Sequence, residues 1–184
     1  GHSIGGHAAA DQLLEPHPLS HDPPVVLISD ADVLIDYATV DMEVLEIIAR
    51  SLWQLHVAMP ILREVKALSV ERAMQIGIII CEPTIEELTE AAARGGSLSE
   101  PDRLCLVIAR KRGWPCLTND LLLRQSCRKA GVRLVWGLEA MVLLYKAGRL
   151  SRAKAVRTAE AIHKTNPHHI HQVILDRFLK HLDA

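Results

Sequence analysis

Apolar residues in this chain follow two rhythms. Short unbroken runs, VVLIS (25–29), LHVAM (55–59), GIIICE (77–82), PCLT (115–118) and VRLVW (132–136), are bounded by Pro, Gly or polar residues and predict five buried strands. Between them the apolar positions recur at helical spacing. Helices are predicted from about Asp41 to Trp53, from Pro60 through a stretch that holds Glu64, and near 70–76. Thr84 and Glu87 make a capping box for a helix ending near Gly95–Gly96. Ser99 caps a helix that runs to Arg112 and stops at Gly113; another covers 120–130 and stops at Gly131. Helices near 138–147, 151–165 and 168–181 complete the chain, with Asn166-Pro167 separating the last two. Strands that are apolar throughout and alternate with helices imply a three-layer α/β/α fold with a mainly parallel central sheet. No repeat is visible. Residues 1–24, rich in Gly, Ala, His and Pro without a period, read as a mobile tail; 25–150 read as the domain and 151–184 as a C-terminal helical extension.

The 184 residues fit one domain with an appendage, since about 150 residues is the usual span. With 49% apolar and 23% charged residues the chain can build a core without disulfides. Aromatics, at 3%, are too few for RNA modules built on stacking platforms. Cys81, Cys105, Cys116 and Cys127 form no CxxC pair, which argues against zinc knuckles and for reduced, mostly buried thiols in a cytoplasmic protein. No apolar run approaches the roughly 18 residues of a membrane span, and no signal peptide is visible.

The net charge of −1 conceals a split. Residues 1–102 carry 5 Lys/Arg and 17 Asp/Glu, whereas 103–157 carry 13 Lys/Arg and 2 Asp/Glu. An acidic half suits divalent cations and a basic half suits a polyanion. Solvated faces that neutralise one another are the plainer alternative.

Open parallel sheets bind ligands beyond the carboxyl ends of their strands. Asp30 directly follows the first strand, and Asp120 follows the fourth by two residues. Asp102 lies in the first turn of the helix before that strand. Glu64 lies just after the second strand, where it can reach the same rim. Each has a plain structural reading as a cap or a solvated helix residue. Together they make four carboxylates on one edge, which repel unless a cation joins them. All-oxygen ligation suits Mg²⁺ or Mn²⁺, and such ions promote attack of water on phosphodiesters.

These residues resemble a known family. The segment Asp30-Ala-Asp-Val-Leu-Ile-Asp36 resembles the opening of PIN-domain nucleases; MPILREVKAL places Glu64 at their second acid. LSEPDRLCLVIARKRGWPCLTND resembles the region of the third and fourth acids, Asp102 and Asp120, and GVRLVWGLEAMVLLYKAGRLS resembles the closing strand and helix. The resemblance spans about 25–151. It implies a PIN-like fold, Mg²⁺- or Mn²⁺-dependent cleavage of RNA, metal ligation by Asp30, Glu64, Asp102 and Asp120, and support of the site by Thr118. It also implies kinship with VapC-type toxins, which form homodimers and are blocked by a small antitoxin. Asp32 stands where the family more often has Asn or Ser, and the helices after Ser151 exceed a compact toxin.

Two other readings remain open. Asp30-Ala-Asp32 resembles the DxD of haloacid-dehalogenase-like phosphatases, with Thr118 and Lys129 imitating later motifs, but no paired acid follows. The fold is also compatible with a non-catalytic RNA- or protein-binding module. Arg124 and Arg128, four apart beside Asp120, are the candidates for guiding a nucleic-acid backbone. Arg110-Lys111-Arg112 read as a solvated helix end, as do His168, His169 and His171 as solvated polar residues. There is no P-loop.

Overall fold

The structure is a computed structural model and describes residues 25–93 and 95–184. The tail expected over residues 1–24 lies outside the described residues. The apolar runs form β1 (Val25–Ser29), β2 (Trp53–Ala58), β3 (Ile79–Cys81), β4 (Cys116–Leu117) and β5 (Leu134–Val135). All pair in parallel, in the order β3-β2-β1-β4-β5. The chain steps outward from β1 to β3, then returns to the other side of β1, so strand order reverses between β1 and β4. Ile28 is level with Cys116 and Ser29 with Leu117. The next residues, Asp30 and Thr118, therefore leave the sheet side by side.

Helices α1 (Ala31–Val40) and α2 (Met42–Arg50) connect β1 to β2. Asp41 closes one and opens the other: its N–H donates to the Tyr37 carbonyl at 2.8 Å and its Oδ1 accepts from the Val44 N–H at 3.3 Å. The hydrophobic pattern predicts α2 but not α1. The inward face of α1 carries Asp36 beside Val33, Leu34 and Tyr37, which breaks the apolar stripe.

The next two helices, α3 (Met59–Leu62) and α4 (Val70–Gln75), flank β3. The pattern predicts Glu64 inside the first of them, but the residue lies beyond its end. There the N–H of Glu64 donates to Ile61 and that of Val65 to Leu62, at 3.1 and 2.9 Å. This tight turn carries Val65 and Leu68 into the core.

Helix α5 (Ile85–Ala93) opens with the expected reciprocal box: Thr84 N–H to Glu87 Oε1 at 2.8 Å, Glu87 N–H to Thr84 Oγ1 at 3.1 Å. Helix α6 (Glu100–Arg112) ends at Gly113, whose φ of 69° is the left-handed conformation that favours glycine. After it come α7 (Leu121–Lys129), α8 (Glu139–Lys146), α9 (Arg152–Thr165) and α10 (Gln172–Leu182).

The fold is α/β with helices on both sides of the sheet. Helices α1, α2, α8 and α9 pack on one another, with α10 against α8 and α9. In the other layer α5, α6 and α7 pack in sequence, α6 against β1 and β4 and α7 against β5. The C-terminal helices thus continue the layer that α1 begins. Among the described residues no helix is long and apolar enough to cross a membrane. The four cysteines are free, three of them buried.

Much of the charge split is spent inside the molecule. Glu87 from the acidic half binds Arg112 from the basic half through Nε at 3.0 Å and Nη2 at 2.7 Å. Arg110 and Lys111 both pair with Glu90, and Lys154 with Glu43 at 2.9 Å. Arg112 also lies over Trp114, 5.0 Å from the ring centre. Its hydrogen bonds hold the carboxyl of Glu87 below the usual carboxylate range. Arg112→Ala strands a buried carboxylate and should lower stability by about 2–3 kcal/mol at pH 7. Because a depressed acid stabilises only while ionised, the deficit should shrink as pH falls below about 4. Urea titrations at the two pH values measure both.

Candidate functional site

The rim between β1 and β4 is organised by one chain of hydrogen bonds. Asp30 caps α1, its Oδ1 accepting the Val33 N–H at 3.0 Å. Its Oδ2 accepts a short hydrogen bond from the Thr118 hydroxyl. Thr118 Oγ1 in turn accepts the Asp120 N–H at 3.0 Å. Asp120 caps α7 through the Leu123 N–H at 2.8 Å. Asp102 belongs to the first turn of α6, where its N–H donates to Ser99 Oγ at 3.3 Å. The capping expected for Asp30 and Asp120 is thus real and coexists with the shared rim, whereas Asp102 gives only its N–H to the Ser99 cap.

Burial and charge add to the links that the hydrogen bonds make. Asp30 is 1% exposed. Burial drives its carboxyl well above the usual carboxylate range, Thr118 and Val33 draw it back, and the charges of Asp32 and Asp102 add to the rise. Asp102 is pushed up to about 6, first by burial and then by the charge of Asp120, with Asp32 and Glu64 adding to it. Asp32 is raised by burial and by Asp120, and partly relieved by His169. Asp30, Asp102 and Asp120 therefore share one field, with Asp32 in their midst. Glu64 stands at the edge: it is exposed, and it enters through its effect on Asp102.

Asp32 proves to be a member of the cluster, and two residues beyond the expected set adjoin it. Asp36 is 6% exposed; burial pushes its carboxyl up to about 6, while the Asn166 amide, donating at 2.9 Å, opposes the rise. That bond ties the turn between α9 and α10 to α1. His169, exposed as the sequence pattern expects, stands on this turn and opposes the rise at both Asp32 and Asp36. Nothing local in the sequence marks such a contact across 130 positions.

Arg124 requires a correction. The sequence pattern makes it an accessible guide beside Arg128, but it is 8% exposed, with its guanidinium over the ring of Trp136 at 4.1 Å. The helix face that carries Asp120 and Arg124 turns toward the segment after β5. Arg128, one turn further, is exposed as expected. Lys129 ends α7, roughly 13 Å of helix rise from the Asp120 cap, which weakens the phosphatase reading. Arg110, Lys111 and Arg112 are taken up by Glu90 and Glu87.

No protein-family model matches the chain, and no curated protein matches it either.

The donor set suits a hard cation, being carboxylate oxygen throughout. Among the described residues, however, no three His, Cys, Asp or Glu side chains form a ready-made metal cage. Physical reasons are at hand: without a cation the carboxylates repel, and both oxygens of Asp30 are engaged by Val33 and Thr118.

An acid raised by burial lets the folded chain hold more protons than the unfolded one between about pH 4 and 6. Stability contributed by Asp36 therefore falls as pH climbs through that window. Asp36→Asn keeps an acceptor for Asn166 and removes the buried charge. It should raise Tm by about 2–4 °C at pH 7.5, with the gain vanishing near pH 4; thermal scans at both values check the sign.

Proposed function

We propose that the chain is a metal-dependent ribonuclease of the PIN-domain type, hydrolysing RNA phosphodiester bonds at the carboxylate rim between β1 and β4. The observation that carries the reading is the Thr118 hydroxyl, which joins Asp30 at the end of β1 to the Asp120 N–H beyond β4, beside an Asp102 raised by burial and by the charges of Asp120, Asp32 and Glu64. Gathering like charges in this way is costly, and a divalent cation relieves the cost.

Asp30, Asp102 and Asp120 would hold Mg²⁺ or Mn²⁺, with Glu64 orienting water or taking a second ion. Bound there, the metal would make water more acidic and screen charge developing on phosphate. The chain itself fixes the geometry. Thr118 locks the Asp30 rotamer across the two strand ends and, by accepting the Asp120 N–H, fixes the turn into α7. The apolar packing around Asp30 excludes water from one side of the rim. Glu64, the exposed acid at the edge of the rim, is placed to orient the attacking water. The same reading carries a homodimer and a small inhibitory partner, as in VapC-type toxins.

A second reading, a module that binds RNA or protein without cutting, is favoured by the missing ready-made cage. Cleavage assays with purified chain and Mn²⁺ separate the two. Asp30→Asn and Asp102→Asn should each lose about a hundredfold or more in rate, and Thr118→Val about tenfold or more. Asp30→Asn should melt at or above the wild-type temperature, since it removes a crowded buried charge. Undiminished cleavage by Asp30→Asn contradicts the nuclease assignment. RNA binding indifferent to chelator, without metal-stimulated cleavage by the intact chain, establishes the module instead.

A further inference from the structure

Beside the acidic rim lies a cluster of the opposite sign. Trp136 follows β5 directly, and two guanidinium groups lie over its indole: Arg124 from α7 at 4.1 Å and Arg177 from α10 at 4.8 Å. Arg128, one turn beyond Arg124, adds a third charge that acts on Arg124. The Trp136 position is fixed through its neighbour Gly137. Gly137 donates its N–H to Asn119 Oδ1 at 2.9 Å, and its carbonyl accepts the Tyr37 hydroxyl at 2.5 Å. A Cβ at Gly137 would collide with the Asn119 side-chain amide and displace it from its bond to the Gly137 N–H.

The cluster is under-satisfied. Arg124 is 8% exposed, yet its Nε is buried with no hydrogen-bond partner. Among the described residues no carboxylate is in ion-pair contact with Arg124, Arg128 or Arg177. The nearby acids are engaged elsewhere, since Asp120 caps α7 and Glu139 Oε2 accepts the Trp136 N–H at 3.4 Å. Burial and the charges of Arg128 and Arg177 make the Arg124 cation costly, and Asp120 offsets part of this. A guanidinium stacked on a ring spends its face and keeps its N–H edge free for a planar or tetrahedral anion. Arg128 and Arg177, both exposed, bring two guanidinium edges to this place, which suits phosphate oxygens.

We propose that the exposed Arg128 and Arg177, backed by the buried Arg124 and Trp136, bind the sugar–phosphate backbone of single-stranded nucleic acid. The inference deepens the nuclease reading and rests on it for the choice of polyanion. The single strand is favoured by Leu121 and Leu122, which stand 55% and 44% exposed on the first turn of α7, between Asp120 and the arginines. Apolar side chains beside phosphate contacts fit the faces of unpaired bases, which a duplex conceals. The extension after Ser151 thereby acquires a use, because it delivers Arg177 to a surface that the five-stranded domain leaves incomplete.

The test is binding of a labelled oligouridylate to the full chain in EDTA, read by anisotropy across a salt series. Arg128→Ala and Arg177→Ala should each weaken binding about three- to tenfold and reduce the slope of log K against log salt by about 0.7. Arg133→Ala, at the opposite edge of the sheet, should change neither. Because Arg128 and Arg177 are exposed, both variants should fold, and an unchanged Tm verifies it. Wild-type affinity and slope in Arg177→Ala overturn the proposal, as does an equal loss in Arg133→Ala or equally tight binding of duplex RNA. Binding without metal is independent of cleavage. Failure here with cleavage intact refutes only this surface, and intact binding without cleavage refutes only the nuclease reading.

Discussion

Asp30 takes a carboxylate out of water at the exit of the central strand, and that single burial dictates much of what surrounds it. A buried carboxylate must be hydrogen-bonded or neutralised. The α1 N-terminus supplies one donor through Val33, and Thr118 from the adjacent strand supplies another. The second donor works only if β1 and β4 are parallel and level, which their register provides. Thr118 then accepts from Asp120, so one hydroxyl couples two helix caps and two acids. Local capping, sheet topology and the position of the acids are thus one constraint seen at three scales.

Two fields of opposite sign meet along α7. At its N-terminus lie the raised carboxylates, crowded beyond what their own hydrogen bonds relieve. One turn on lies Arg124, buried against Trp136 with its Nε short of a partner, and beside it Arg177 from α10 over the same ring. A phosphodiester chain with a divalent cation is complementary to both at once. The rest of the charge split in the sequence has a quieter use, since Arg112 with Glu87 and Lys154 with Glu43 join the acidic and basic halves internally. Only the unpaired remainder is left to act on a ligand.

The strands, most helices and the caps are legible in the sequence because each is written locally. Examples are the β-branched run 25–29, the Thr84–Glu87 box and the stop at Gly113. Asp30, Asp102 and Asp120 are legible because position at a strand end or helix start predicts which edge a residue joins. Helix α1 is not, since the inward Asp36 interrupts its apolar face. The pattern puts Glu64 one element too early because the turn after α3 is set by the burial of Val65 and Leu68, a tertiary demand. The burial of Arg124 and the approach of Asn166, His169 and Arg177 depend on how the C-terminal helices fold back. Spacing along the chain carries no trace of that.

The central claim is that a divalent cation belongs among the carboxylates of Asp30, Asp102 and Asp120. Crystals of the protein soaked in Mn²⁺ and measured for anomalous scattering address it directly. A manganese peak bounded by oxygens of those three residues, with Asp30 turned partly from Thr118, is the predicted result. No peak at the rim at saturating Mn²⁺, or one held by other residues alone, would contradict the account and leave the acids as helix caps.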